Sequence, residues 1–260
     1  MKNKVLHLSP HPDDELIGAP ATLMALRDSG WEITNYAVSL GGEGQQDRRG
    51  AELKEACARA KFKLIVPDAP FHISSTDDLV LAEKELTLHL QELIGDYEIV
   101  VSPSPHDRHH GHEVVGRALK SAIENNSKKE PRKLPPRWLM WGLWADLRFP
   151  TILCEFDEDR LQEILHCLSA HAGELERNDY RHLVAGRAEA NAVLGYERIF
   201  GFGSAGPKRD SDLEKNNLYA EVCCEAVRVK NNWLLGSPHI LDTTNMLVAP
   251  TTTNLNSWLS

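Results

Sequence analysis

Along the first half of the chain, short apolar runs alternate with longer stretches whose apolar positions recur every three or four residues. Residues 4–9 (K-V-L-H-L-S) read as a buried strand, 16–29 as a helix ending near Gly30, and 32–40 as a second strand closing on Gly41-Gly42-Glu43-Gly44. Residues 47–62 place Leu53, Ala56, Cys57 and Ala60 at helical spacing, and the brief run Leu64-Ile65-Val66 follows. A helix over 79–94, a strand over 98–102 bounded by Pro103, a helix over 114–125 and a strand over 138–143 complete the pattern. Strands separated by helices of this length predict βαβ units with right-handed crossovers, hence an α/β fold of the Rossmann-like, doubly wound class with a mostly parallel sheet.

After Pro150 the rhythm changes. Residues 151–156 suit a strand, 159–172 and 179–194 helices, and 219–229 a late strand in which Cys223 and Cys224 face opposite ways. Segments 204–217 and 242–260 are polar or rich in Pro, Thr and Asn and are expected to be irregular, and 125–137 is expected to be a surface loop. No internal repeat or boundary emerges. The expectation is one domain over 1–260, with a core in 1–145 and, in 146–260, helices, a late strand and loops that shape the substrate site.

Composition narrows the function. The chain has 260 residues, 42% of them hydrophobic and 26% charged, which supplies a sizeable core without staples. A formal net charge of −9 argues against nucleic acid or an anionic membrane surface as the main partner. No run approaches the roughly 20 apolar residues that span a bilayer, and M-K-N-K-V-L-H-L carries no adequate apolar signal region, so a cytoplasmic location is expected. Five cysteines without a CxxC pair suggest neither a zinc knuckle nor a disulfide framework. The sequence is silent on oligomeric state and compatible with a homo-oligomer.

Two polar clusters carry the candidate chemistry. The first, S-P-H-P-D-D-E-L, follows the first strand. Proline and acids at a helix start are ordinary punctuation, because proline's missing N–H is not needed there and carboxylates complement the helix dipole. Crowded carboxylates beside a histidine are also a cation site, since like charges repel unless something positive sits among them. The second cluster, S-P-S-P-H-D-R-H-H-G-H-E, follows the fourth strand. In a 3-2-1-4 sheet the first and fourth strands adjoin at the crevice where strand order reverses, so the clusters should meet. His11, Asp14 and a histidine of the second cluster around an open position match a catalytic zinc set, which points to hydrolysis by a metal-activated water. Asp13 and His109 are then available as base and acid.

H-P-D-D-E at residues 11–15 after an N-terminal strand, with H-x-x-H at 109–112 after the fourth, resembles the PIG-L/LmbE family of metal-dependent N-acetylglucosamine deacetylases. The resemblance covers residues 2–120 best. It implies an LmbE-like fold, Zn2+ as cofactor with Fe2+ or Co2+ as alternatives, and a small aminosugar substrate, in antibiotic or thiol-cofactor biosynthesis among other settings. It implies His11, Asp14 and His112 as metal ligands, Asp13 as general base, His109 as the acid protonating the departing amine, and Arg49 as a contact to the sugar or to an anionic group on its aglycone. Many members read H-P-D-H in the second motif, where an acid orients the catalytic histidine. Here Gly111 stands in that place, leaving Asp107 and Asp13 as candidates to replace it.

Other features carry less. S-L-G-G-E-G is not a phosphate-binding loop, and a mobile loop at the site mouth with Glu43 within reach of substrate is expected. Glu15 reads as structural, His171 as an ordinary histidine near the pocket, and Trp138, Trp141 and Trp144 as core or rim residues with a sugar platform as the alternative. The rival readings are an amidase of thiol conjugates, a metal phosphoesterase, and a sugar-binding or metal-sensing protein without turnover.

Overall fold

The structure, a computed structural model, describes residues 3–130, 133–204, 219–244 and 249–260. In chain order the elements are β1 (Lys4–Ser9), α1 (Asp14–Ile17), α2 (Pro20–Asp28), β2 (Glu32–Ala37), α3 (Gln46–Ala60), β3 (Lys63–Ile65), α4 (Leu79–Leu93), β4 (Ile99–Pro103), α5 (His110–Lys129) and β5 (Arg137–Trp141). They continue with β6 (Ile152–Phe156), α6 (Glu158–Leu168), α7 (Ala172–Arg177), α8 (Tyr180–Phe200), β7 (Tyr219–Val229), β8 (Asn232–Gly236), β9 (His239–Ile240), β10 (Pro250–Asn254) and α9 (Asn256–Leu259).

The sheet runs β3-β2-β1-β4-β5-β7-β8-β10. From β3 to β5 every pairing is parallel, with β1 between β2 and β4. β7 joins β5 antiparallel and begins an antiparallel extension through β8 and β10. The 3-2-1-4 order expected from the sequence is therefore present, and the crevice where it reverses lies beyond the carboxyl ends of β1 and β4.

Strand alternation divides the interior into two layers. Val5, Ile33, Val101, Leu139, Trp141 and Cys223 face one core, covered by Leu23, Leu53 and Ile164 from α2, α3 and α6. Leu6, Leu8, Tyr36, Val100, Met140 and Cys224 face the other, covered by Leu90 and Leu119 from α4 and α5. Cys223 and Cys224 thus lie on opposite faces, as the strand pattern predicts.

Three expectations are corrected. The helix expected over 16–29 is broken, because the residue before a proline avoids helical geometry: Ala19 has φ −142°, and α2 restarts at Pro20. Gly18 sits in the break with its Cα against the Trp141 ring, where a Cβ would come within 2.6 Å. α5 starts four residues earlier and ends four later than expected, since its H-H-G-H-E start and S-K-K end lack the apolar signal, which also shortens the loop expected over 125–137. Segment 242–260, expected to be irregular, carries β10 and α9, and Leu255 and Leu259 there are buried. The segment 204–217, apart from Ser204, lies outside the described residues, as do 245–248.

The joint between β1 and α1 positions the site. Asp13 adopts φ 117°, ψ −26°, a conformation that costs a non-glycine residue about 1–3 kcal/mol and persists only when its surroundings enforce it. Three side chains do so. Asp14 Oδ2 accepts the His11 N–H at 2.8 Å, Glu15 Oε2 accepts the Asp13 N–H at 3.0 Å, and Arg49 donates to the Pro12 carbonyl at 3.1 Å. Glu15, fully buried, is fixed through its other oxygen by His171 Nε2 at 2.6 Å. Removing one partner of a buried pair strands the other without water. His171→Ala is therefore expected to lower the unfolding free energy by about 3 kcal/mol in urea titrations with an unchanged slope; a loss under about 0.5 kcal/mol would show that Glu15 does not depend on this contact.

Candidate active site

Beyond β1 and β4 the chain encloses a cavity of about 270 Å³ lined by His11, Asp13, Asp14, Arg49, His109 and His112, with Ile17, Leu143, Trp144, Arg177, Asn178 and Tyr180 around them. Six of the seven sequence-predicted site residues thus converge. Glu43 does not: it lies exposed on the loop after β2 and is not among the lining residues.

Each inner side chain has a local reason for its place. His11 and Asp13 sit on the strained turn, and Asp14 opens α1. His109 caps α5 in extended geometry and His112 occupies its first turn, so the i, i+3 spacing turns both rings to one side. Asp14 bridges the two clusters, with Oδ2 3.3 Å from His11 Nδ1 and Oδ1 3.5 Å from His112 Nε2. Nitrogen donors of His11, His109 and His112 lie within 4.8 Å of one another. Three imidazoles and a carboxylate on one wall of an open cavity fit a divalent cation of borderline softness such as zinc.

The charges are strongly coupled. Burial opposes ionisation of Asp14, yet His112 and His11 hold its carboxyl well below the usual range. Burial also opposes the charged form of His112, but Asp14 and the Asp107 hydrogen bond push it up to about 9. Burial, then the neighbouring Asp14 and Glu15 carboxylates, raise Asp13 well above an ordinary aspartate. Burial and the adjacent His112 and His11 push His109 down to about 3.

Behind these groups stand residues whose roles the sequence did not assign. Asp107, fully buried, accepts from His112 Nδ1 at 2.7 Å, which turns Nε2 toward the cavity. It therefore orients His112 rather than His109, and among the described residues none hydrogen-bonds the buried Nδ1 of His109. The replacement expected for the acid missing at Gly111 is thus not provided by Asp107. The glycine itself has a steric cause: a Cβ there would lie 3.0 Å from His11 Cε1 and Nε2 and 3.2 Å from the Ile73 carbonyl. Below the site, Trp141 donates to His7 Nε2 at 3.2 Å and His7 Nδ1 meets Asn35 Oδ1 at 2.8 Å, so His7 carries its proton on Nδ1. This relay backs the Trp141 ring, which packs T-shaped against the His112 ring with centroids 5.2 Å apart.

At the mouth, Arg49 lies 3.4 Å from Glu174, which Arg177 also holds at 2.8 Å. Trp138 and Trp141 are wholly buried, whereas Trp144 is half exposed and lies over His109, centroids 5.9 Å apart and planes at 24°. Of the three tryptophans only Trp144 can offer a face to a ligand. Among the described residues, no helix is long and apolar enough to cross a membrane.

Comparison with known proteins agrees with this architecture. Residues 6–123 match the family model described as PIG-L: GlcNAc-PI de-N-acetylase. The Probable N-acetyl-alpha-D-glucosaminyl L-malate deacetylase 2 of Bacillus cereus is 28% identical over 145 residues, 50% of this chain and 65% of its own length, so the chain spans just under two thirds of that relative. Among solved structures, the N,N'-diacetylchitobiose deacetylase of Pyrococcus horikoshii superposes with a TM-score of 0.56 at 17% identity, covering 86% of this chain and 83% of that one. The 4-carboxy-2-hydroxymuconate hydratase GalB of Pseudomonas putida KT2440 gives 0.60 at 18%, covering 89% and 99%. A fold shared by deacetylases and a hydratase leaves the reaction to the site. With the H-P-D-D-E turn and the H-x-x-H helix start meeting at the crevice of a 3-2-1-4 sheet, and with the family match spanning both motifs, residues 6–123 are similar to the PIG-L family.

Proposed function

We propose that this chain is a metal-dependent hydrolase that removes the N-acetyl group from an N-acetylglucosaminyl or related aminosugar substrate. The observation that carries this reading is the convergence of His11, Asp13, Asp14, His109 and His112 in one cavity. The family match and the deacetylases among the similar proteins support it. His11, Asp14 and His112 would hold the ion, zinc by preference and Fe2+ or Co2+ by the same donor chemistry. Bound there, it supplies Lewis acidity to the water and to the amide oxygen.

An acetamide is unactivated and its amine a poor leaving group, so the chain must remove a proton from water and return one to nitrogen. Asp13 suits the proton removal, because its raised proton affinity makes it a stronger base than an exposed aspartate. His109, neutral at rest, suits the proton return by receiving a proton during the reaction and delivering it to the departing nitrogen. A cavity of about 270 Å³ lies just under the usual ligand-pocket range of about 300–1,000 Å³, enough for one sugar unit, with the aglycone outside. Trp144 offers that sugar an aromatic face, and Arg49 also lines the cavity.

A second reading of His109 has its own support. Its donor lies within 4.8 Å of those of His11 and His112, and among the described residues no carboxylate hydrogen-bonds its Nδ1, so it can serve as a third histidine ligand. The two roles separate experimentally. As an acid, His109→Gln keeps the bound metal and loses about 10²–10⁴-fold in turnover; loss of the metal would make it a ligand.

Two further variants test the assignment, read by metal content and acetate release. Asp13→Asn is expected to retain metal and lose at least about 10²-fold in turnover, while His11→Ala loses both. Full activity in the first, or full metal content in the second, would overturn these roles.

A further inference from the structure

The fully buried carboxylate of Asp107 is used on both sides. Oδ2 accepts from His112 Nδ1 at 2.7 Å. Oδ1 accepts three successive backbone N–H groups, those of Leu143 at 2.6 Å, Trp144 at 3.1 Å and Ala145 at 3.2 Å. Successive N–H groups converging on one oxygen form an anion-binding nest, and here its occupant is a side chain of the same molecule. The turn is tight: a Cβ on Gly142 would come within 2.4 Å of the Ala145 carbonyl. From outside, α8 holds the same loop, with Arg187 donating to the Gly142 carbonyl and Arg198 to that of Leu147 at 3.2 Å. The nest presents Trp144 to the cavity, stacked over His109.

We infer that Asp107 is a positioning residue that locks the metal-facing ring of His112 and the aromatic rim residue Trp144 into one unit. The inference rests on the metal reading above and adds to it a link between ion affinity and the wall that meets substrate. The lever is geometric. Three N–H groups demand an acceptor at Oδ1, so only the other atom of the side chain is left to decide which nitrogen of His112 carries the proton. With an oxygen there, His112 keeps its proton on Nδ1 and offers Nε2 to the cavity.

Asp107→Asn inverts that choice without disturbing the loop. The nest holds the amide oxygen, the amide NH2 faces Nδ1, and the imidazole is driven to the tautomer whose Nε2 is protonated and cannot ligate. Asp107→Ala removes both contacts. Gly142→Ala acts from the loop side, its Cβ meeting the Ala145 carbonyl and lying 3.4 Å from Asp107 Oδ1. Zinc affinity is measured on chelated full-length protein by competition with a chromophoric chelator. Loop placement is read as Trp144 emission, isolated by subtracting a Trp144→Phe background from the six-tryptophan signal.

Asp107→Asn is expected to bind zinc about 10–100-fold more weakly with wild-type Trp144 emission. Asp107→Ala should show the same loss with shifted emission, and Gly142→Ala shifted emission with several-fold weaker zinc binding. Wild-type zinc affinity in Asp107→Asn or Gly142→Ala, or unshifted emission in Asp107→Ala or Gly142→Ala, overturns the inference. Failure of the wild-type chain to bind any divalent ion is a different result: it removes the metal reading itself.

Discussion

Three consecutive carboxylates, those of Asp13, Asp14 and Glu15, are buried where the left-handed Asp13 leads into α1, and the rest of the site is organised around matching them. Buried acids are costly unless each meets donors or positive charge. Glu15 is matched by His171 and the Asp13 N–H, and Asp14 by His11 and His112. Asp13 gains no side-chain partner of this kind among the described residues and lines the cavity, its proton affinity raised by burial and by its two neighbours. Under the proposed function, a cation among the histidines would relieve the crowding and leave Asp13 as the base, so that one turn would supply both charge compensation and chemistry.

The fold meets this demand through topology. β1 delivers the turn and β4 delivers the start of α5, and only because these strands are neighbours at the reversal of strand order do Asp14 and His112 come within 3.5 Å. The buried layer beneath then fixes orientation. His7 and Asn35 steady Trp141, which backs His112, while Asp107 sets its tautomer. Close approach explains the departure at Gly111, since α5 lies against His11 where a side chain would intrude. The loss of an orienting acid behind His109 is thus tied to how tightly this chain packs its two motifs together.

Much of this is legible in the sequence, for identifiable reasons. The β-strand alternation and the helical spacing reflect burial on one or two faces, so β1, α3, α4 and β7 emerge within a residue or two of their bounds. The polar start of α5 and the break at Gly18 carry no apolar period and escape the pattern for that reason. β10 pairs with β8 at the sheet edge, largely exposed, through Pro, Thr and Asn, which imitate a loop. Five of the predicted site residues come together because motif spacing and strand order together fix them, and Arg49 joins them from α3, where it donates to the Pro12 carbonyl; Glu43 does not, since a glycine-rich loop has no such constraint. Asp107 is visible as an acid of the second cluster, five residues before His112, but its partner follows only from the folded chain. Arg177, Asn178 and Tyr180 line the cavity from the distant α7–α8 region, and no local signal marks them.

The proposed activity is cleavage of an N-acetyl amide on a sugar with a divalent ion bound in this cavity. The most direct measurement is acetate and free-amine release from a panel of N-acetylaminosugars, comprising N-acetylglucosamine and its inositol, malate and aminoglycoside conjugates, by protein stripped with chelator and then reloaded with zinc. Equal amounts of acetate and amine are expected from at least one member, abolished by stripping and restored by the metal. Release that persists in the stripped protein, or silence across the panel from protein carrying one ion per chain, would contradict it.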